Sequence, residues 1–436
     1  MYEFFKSEFF NFELIRLLGT TPFGGCEIAE FLDAVGQIKN DNADSWYRAW
    51  YAQGERAELV GEEAVQSGDR VAARRAFMRA SNYFRQSQYM FNDRPQSRDA
   101  RILPIIGRSI RDFKRGMRLL DGDVCELEIP YENGQKLPGY LYLPPASKRL
   151  PGKIPVLVNT GGADSIQEEL YYMYPAAGPD LGYAVLTFEG PGQGIILRRD
   201  KLTMRPDWEA VTTPVIDHLV QYSKAHAELD LDLERIAIAG ASMGGYYALR
   251  GASDPRIKAC VAIDPFYDMW DLAKVRMPVW FCNLWMAGWI SDTLLNAACY
   301  THFKVDLRTR WEFAVAMWMF GTETPADTMR EMQRYTMRLA DGEEFLDRVK
   351  CPVLVSGAAH SIYFRPEIST SLIHRKLKHI PERQKEIWIA KEPGDGGLQA
   401  KCGAFGIVQQ RTFRFLDEHL GIKRANLAVD CKLGGF

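Results

Sequence analysis

Apolar and polar positions change their period along the chain. Up to about residue 122, aromatic and aliphatic residues recur every three to four positions, as in 45–66 and 70–91, and this spacing predicts an all-helical domain. From residue 123 the residues alternate between apolar and polar on both sides of Asn133-Gly134, which is the signal for a β-hairpin with a type I′ turn. The hairpin therefore opens a second domain.

Short runs typical of buried strands follow the hairpin and alternate with helical stretches. They are 153–160, 183–189, 235–240, 258–264, 351–357 and 385–391. This alternation predicts the α/β class, with a mostly parallel sheet covered on both faces. We expect an N-terminal helical domain (1–122), a core in two parts (123–265 and 346–424), a helical cap inserted between them (266–345) and a C-terminal tail (425–436).

Aromatic residues are concentrated in the expected cap. Most of its tryptophans are predicted to pack the cap on the core, and others, Trp285 among them, to wall a pocket for a large apolar substrate. Residues 277–300 are apolar enough to raise the question of a membrane span, but Pro278, Asp292 and two asparagines interrupt them. A lid over an apolar pocket is the better interpretation.

The composition is that of an ordinary globular protein. The chain has 436 residues, 54 basic against 56 acidic side chains, and a net charge of −2. No basic run suggests nucleic acid or an anionic membrane as a partner, so a small molecule is expected. Eight scattered cysteines without a CxxC pair favour reduced thiols, a cytoplasmic location and no metal site. Acidic residues at Glu3, Glu8 and Glu13 favour an amphipathic first helix over a signal sequence.

The segment 235–252 has the pattern of a nucleophile elbow, G-x-S-x-G, between a strand and a helix. The glycines relieve crowding at a sharp turn, and the turn thrusts the hydroxyl of Ser242 outward at the positive end of the helix. The backbone N–H of Met243 is then one donor of an oxyanion hole. We expect the second donor from Gly161-Gly162, after the strand 153–160.

Several motifs together resemble one group of α/β-hydrolases. They are FFNFELIRLLG, SWYRAW, TGGADS, FEGPGQG, RPDWE, GASMGGYYALR and SGAAHSIYF. The chain is similar through them to the bacterial 2,6-dihydroxypseudooxynicotine hydrolases and the fungal polyketide-shortening (yellowish-green type) hydrolases, over nearly its whole length. The resemblance implies a serine hydrolase site between core and cap, cleavage of a C–C or ester bond next to a carbonyl, a place in polyketide-type secondary metabolism, and a homodimer.

The resemblance also implies an acid after the strand 351–357 and a histidine after the last strand, and the chain departs from both. His360 stands where the acid is expected, and the loop 392–406 has no histidine. His360 is the best candidate base because it lies at the carboxyl end of a parallel strand. Asp264, which ends the neighbouring strand, is the candidate acid, with Asp395 as a second possibility.

Other residues are candidates for contact with substrate. Asp268, Asp271 and His302 belong to the cap, and Gln399 belongs to the loop after the last strand. Glu189 follows a buried strand; it is assigned to the same group, although a structural pairing with a nearby arginine is the stronger alternative. The glycines beside it lack the Lys-Ser/Thr pair of a P-loop, so no nucleotide or other cofactor is predicted.

Three functions follow from this set of residues. The first is a serine-dependent hydrolase, in which Ser242 attacks a carbonyl and His360 or another base takes the proton. The second is a non-hydrolytic cyclase or condensation enzyme that uses the same apolar pocket and oxyanion hole on a polarised carbonyl. The third is a binding protein, which the intact elbow disfavours because strain is costly to keep without a use.

Overall fold

The computed structural model of the protein describes residues 2–93 and 98–427. The N-terminal part is helical, and its helices are α1 (Glu8–Leu18), α2 (Ile28–Gln37), α3 (Ala43–Ser67), α4 (Arg70–Tyr89) and α5 (Ile102–Met117). Three of these helices, α1, α3 and α4, begin at capping side chains: Ser7, Asn42 and Asp69 each accept a hydrogen bond from a backbone N–H of the first turn. The helical pattern of the sequence up to residue 122 thus corresponds to five α-helices within the described residues of this region.

An eight-stranded sheet follows. Its strands are β1 (Val124–Pro130), β2 (Lys136–Tyr142), β3 (Ile154–Thr160), β4 (Ala184–Phe188), β5 (Leu231–Ala241), β6 (Ile257–Ile263), β7 (Val353–Ala358) and β8 (Lys385–Ala390). The order is β1-β2-β4-β3-β5-β6-β7-β8; β2 is antiparallel to both of its neighbours, and the other pairs are parallel. The predicted α/β class is confirmed.

Both faces of the sheet are covered, and this explains why its central strands are almost wholly apolar. Along β3, Val156 and Val158 belong to one hydrophobic core and Leu157 to another, because successive side chains of a strand point to opposite faces. The helices of the core are α6 (Gln167–Leu170), α7 (Glu209–Ala225), α8 (Met243–Gly251), α14 (Thr370–Lys376) and α15 (Phe405–His419). Catalytic groups are therefore expected at the carboxyl edge of the sheet.

Five helices lie between β6 and β7, within the range expected for the cap. They are α9 (Trp270–Arg276), α10 (Val279–Met286), α11 (Asp292–His302), α12 (Leu307–Phe320) and α13 (Pro325–Met332). Among them Trp285, Leu295 and Met329 are buried in a small core of the cap's own. Across the part of the chain that the structure describes, no helix combines the length and the apolar character that crossing a membrane requires.

The structure agrees only in part with the predicted hairpin turn. The β1–β2 hairpin forms, and Asn133 and Gly134 have the positive φ angles of 56° and 73° that the dipeptide favours. The turn is longer than a two-residue type I′ turn, because Glu132 also belongs to it and Tyr131 N–H donates to the carbonyl of Gln135. Most of the predicted tail lies outside the described residues.

Candidate active site

Ser242 lies on the sharp turn between β5 and α8. Its backbone angles are φ 57° and ψ −120°, a conformation that costs a non-glycine residue of order 1–3 kcal/mol. Its N–H donates to the carbonyl of Ile263 at 2.8 Å, so the neighbouring strand β6 holds the turn in place. The side chain is half-buried and lines a large cavity. The elbow that the sequence predicts is therefore present, and Ser242 is part of the cavity wall.

The glycines on each side of Ser242 allow the chain to approach itself closely. A Cβ at Gly240 would lie 2.1 Å from the carbonyl oxygen of Gly244, and a Cβ at Gly244 would lie 2.6 Å from the carbonyl oxygen of Thr160. Neither distance is possible for real atoms. These glycines bring the elbow against the end of β3, where the second half of the predicted oxyanion hole begins.

The loop after β3 is oriented by Gln193, a residue to which the sequence assigned no role. The Gln193 side-chain amide donates to the carbonyls of Gly161 (2.8 Å) and Gly162 (3.1 Å). The carbonyl of Gly161 and the N–H of Gly162 belong to one trans peptide and point in opposite directions. The N–H of Gly162 therefore points away from Gln193. Gly162 and Met243, whose N–H begins α8, both line the cavity with Ser242.

The cavity has a volume of about 550 Å³ and lies between the sheet edge, the cap and the N-terminal helix α1. Its walls are mainly apolar and aromatic. They include Phe266, Met269, Trp280, Trp311, Met319 and Phe364. This is the size and character of a pocket for a large, mostly apolar small molecule. Trp285, which the sequence placed in the pocket wall, is instead buried within the cap, where its indole N–H donates to Asp292.

His360 does not lie in the cavity: its side chain is exposed, and its backbone N–H donates to the carbonyl of Gly397. The next residue, Ser361, faces the other way and donates its hydroxyl hydrogen to Gln399 Oε1 at 2.5 Å. Ser361 and Gln399 thus meet where the resemblance implies an acid and a histidine. An alcohol and an amide cannot accept a proton from serine at neutral pH. Gln399 does line the cavity, as predicted for a substrate contact.

Asp264 lies below this site and is not part of the cavity wall. Its Oδ1 accepts hydrogen bonds from Lys401 Nζ (2.7 Å) and Ser356 Oγ (2.8 Å), and both charged side chains are almost completely buried. Lys401 Nζ also donates to the carbonyl of Gly357, and burial lowers the pKa of its ammonium group. This pair holds the loop after β8 against the ends of β6 and β7. The carboxylate of Asp264 is therefore paired with a lysine rather than with a histidine.

The other predicted contacts divide between the cavity and the scaffold. Glu189 is buried and accepts the backbone N–H groups of Gln167 (2.9 Å) and Ile195 (2.6 Å), which is a structural role. Asp268 pairs with Arg338, and Asp271 with Lys274, and neither lines the cavity. His302, at the end of α11, does line it, although this residue is also exposed to solvent. All seven histidines of the chain lie in the described residues, and among them only His302 reaches the cavity.

A buried group of charged side chains lies at the part of the cavity wall formed by α1, where Tyr89 also stacks on Trp311 of the cap, and no role was predicted for it from the sequence. Glu13 and Arg16 of α1 meet Tyr89 of α4, Asp164 of the loop after β3 and Glu169 of α6. Three of these, Glu13, Arg16 and Asp164, occur in the FFNFELIRLLG and TGGADS motifs that carry the resemblance. The presence of these residues in the two motifs was the available sequence signal for this group. The sequence could not show that the two motifs contact each other in the fold.

The strand order, the elbow on β5 and the cap between β6 and β7 define the protein as an α/β-hydrolase. The sequence profile of the family described as "Esterase FrsA-like" matches residues 27–278, and the chain belongs to this family. "Hydrolyase poxO" of Penicillium oxalicum is 54% identical over 425 residues, covering 97% of this chain and 100% of that protein. "Alpha/beta hydrolase psoB" of Aspergillus fumigatus is 52% identical, covering 99% and 98%.

The fold is also that of a solved structure, the 2,6-dihydroxy-pseudo-oxynicotine hydrolase. The TM-score is 0.67 over 94% of this chain and 97% of that one, at 21% sequence identity. The similarity of the sequence to this group of hydrolases is therefore confirmed for the fold. The homodimer that the same resemblance implies stays a prediction.

Proposed function

We propose that the protein is an enzyme that acts on a carbonyl group of a large, mostly apolar compound held under the cap. The carbonyl oxygen lies against the N–H groups of Met243 and Gly162, which stabilise negative charge on it as the reaction proceeds. The observation that carries this proposal is the strained backbone of Ser242, which lines a cavity of about 550 Å³ together with Met243 and Gly162. A polyketide-type compound of secondary metabolism is the substrate class that fits such walls.

The reaction that family membership favours is hydrolysis of an ester bond or a C–C bond next to this carbonyl. Ser242 attacks the carbonyl carbon, and His302 accepts the proton of the serine hydroxyl. His360 cannot accept it, because His360 lies outside the cavity. His302 sits on the cap, so the cap must close for its imidazole to meet the serine. Closure over a mostly apolar wall also excludes water during the first step.

A fluorophosphonate with a long alkyl chain tests this reaction, because it labels a serine only when a base activates it. The intact protein should be labelled, Ser242→Ala should not, and His302→Gln should be labelled at least about 100-fold more slowly. Ser253→Ala, outside the cavity, is the matched control and should be labelled at the normal rate. Labelling that survives Ser242→Ala would remove the serine from the proposal.

One observation favours a second reaction, an intramolecular condensation or cyclisation. Where the resemblance implies an acid and a histidine, Ser361 and Gln399 form a neutral hydrogen bond, and no hydrogen bond within the described residues links the Ser242 hydroxyl to an imidazole. An oxyanion hole without an activated serine still polarises a carbonyl for attack by a carbon nucleophile. The same experiment separates the two: this reaction predicts no labelling of the intact protein, and a substrate that still turns over in Ser242→Ala.

A further inference from the structure

The charged group at the cavity wall is arranged around Arg16. Its Nε donates to Glu169 Oε1 at 2.6 Å, and its Nη2 to the other oxygen of the same carboxylate. Its Nη1 lies 2.8 Å from Asp164 Oδ2 but 3.4 Å from Glu13 Oε2. Glu169 and Asp164 are therefore tightly bound partners of Arg16, and Glu13 has the weakest hold on it.

Glu13 lies in the wall of the cavity that holds the reacting groups, with 1% of its side chain exposed. Glu13, Arg16, Gly162 and Ser242 all line it, and Asp164 follows Gly162 by only two residues. Two residues of chain span at most roughly 7 Å, so Asp164, whose carboxylate accepts a hydrogen bond from Tyr89, lies next to the oxyanion hole. The Tyr89 hydroxyl is also 3.2 Å from Glu13 Oε1. A short chain of hydrogen-bonding groups thus connects Glu13 with the loop that holds the substrate carbonyl.

Charged side chains from several elements surround this group. Three carboxyls, of Glu13, Asp164 and Glu169, face guanidinium groups from three elements: Arg16 and Arg85 lie within this group, and Arg198 acts on Asp164 from the other side. The other titratable groups that face them, Tyr89, Tyr363 and Cys402, have pKa values raised by burial and stay neutral.

Among the three carboxyls, Glu13 has the weakest contact with a guanidinium, and it is the one that holds a proton most readily. Burial raises the pKa of Glu13 to about 7, while Arg16 attracts Asp164 strongly enough to keep the pKa of that carboxyl below its usual value. A carboxyl that gains and loses a proton near pH 7 is suited to general acid–base work.

We propose that Glu13 is a catalytic residue that exchanges a proton with the substrate carbon next to the carbonyl held by Met243 and Gly162. In C–C cleavage, the bond between the attacked carbonyl and this carbon breaks, and its electron pair stays on the carbon. The Glu13 O–H proton moves to that carbon, and Glu13 becomes a carboxylate. In condensation the direction is reversed: the carboxylate removes the proton, and the electron pair moves to the carbonyl oxygen as an enolate. The choice of carbon rests on the proposed function.

The experiment uses 5-nitrobenzisoxazole, a flat, apolar carbon acid, with the full chain. A base removes its ring C–H proton, the N–O bond breaks, and the electron pair appears on a coloured phenolate. The intact protein should accelerate this elimination, and the rate should rise with pH through about 7 as the Glu13 carboxylate forms. Glu13→Gln should lower the rate by about 100-fold and abolish that rise.

Glu30→Gln is a closely matched control. Glu30 belongs to the same helical domain and also accepts hydrogen bonds from a tyrosine and an arginine, Tyr83 and Arg79, but it does not line the cavity. Its rate and pH profile should be those of the intact protein. Glu13→Asp, which retains a carboxyl, should keep the rise with pH at a reduced rate, and it serves if Glu13→Gln does not fold.

Three results would overturn the proposal: no elimination above the buffer rate, no inflection near pH 7, or an unchanged rate in folded Glu13→Gln. The elimination uses neither a serine nucleophile nor a carbonyl group. Fluorophosphonate labelling of Ser242, in turn, does not use Glu13. A failure of this inference and a failure of the proposed function are therefore seen in different assays.

Discussion

Replacement of Lys401 by methionine tests what holds the loop after β8 in place. Lys401 Nζ is completely buried, and it donates at 2.7 Å to Asp264 and at 2.7 Å to the carbonyl of Gly357. Methionine keeps most of the apolar stem but leaves the Asp264 carboxylate buried, and one of its oxygens already has no partner. Removing one member of a buried pair costs about 3–5 kcal/mol, so the free energy of unfolding should fall by that amount.

The assay is urea unfolding followed by tryptophan emission, and Trp388 is a local reporter because Lys401 Nζ lies 4.7 Å from the centre of its ring. The double variant Asp264→Asn/Lys401→Met removes both charges, so it should lose about 1–2 kcal/mol less than Lys401→Met alone. Asparagine tolerates the positive φ of 47° at position 264. This account would be refuted if Lys401→Met lowered the free energy of unfolding by less than about 1 kcal/mol. It would also be refuted if the double variant were less stable than the single variant.

Two further predictions concern the elbow and the pH dependence of stability. Gly240→Ala places a Cβ 2.1 Å from a backbone oxygen and should prevent folding of the core. The control Gly36→Ala, in a helix with open space around it, should stabilise the protein by about 0.5–1 kcal/mol in thermal unfolding. A soluble, folded Gly240→Ala protein would contradict the clash. Burial and the nearby Glu189 raise the pKa of Glu168 to about 8. The folded state therefore binds a proton at Glu168 more tightly than the unfolded chain does. As a result, the free energy of unfolding falls as pH rises from about 4.5 to 8, by at most roughly 1.4 kcal/mol per pH unit. Glu168→Gln should flatten this fall in the thermal midpoint between about pH 5 and 8, and parallel curves for the two proteins would count against it.

Local pattern determined much of this protein. The change from helical spacing to alternation near residue 123, the apolar runs of the parallel strands and the glycines around Ser242 are each encoded within a few consecutive residues. Such features depend on backbone geometry and on burial of one face or both. These local patterns predict the α/β class, the elbow at Ser242 and the loop of Gly161-Gly162 without reference to tertiary contacts.

The partners of the elbow were not determined in this way. A shift of one position separates His360, which faces solvent, from Ser361, which faces Gln399, because neighbouring residues of an extended segment point to opposite sides. Asp264 ends a strand as predicted, but only the fold shows that Lys401 reaches it. Side-chain direction at the end of a strand and pairing across distant loops are tertiary properties.

The sequence by itself thus determined which elements form and where the backbone bends to present Ser242. The tertiary structure alone decided that α1, at the start of the chain, brings Glu13 and Arg16 to Asp164, two residues beyond Gly162. The physical reason is the range of the forces involved. Helix and strand periodicity records local burial and hydrogen bonding, whereas the charge and protonation of a buried carboxyl depend on every group that packs around it, from any part of the chain.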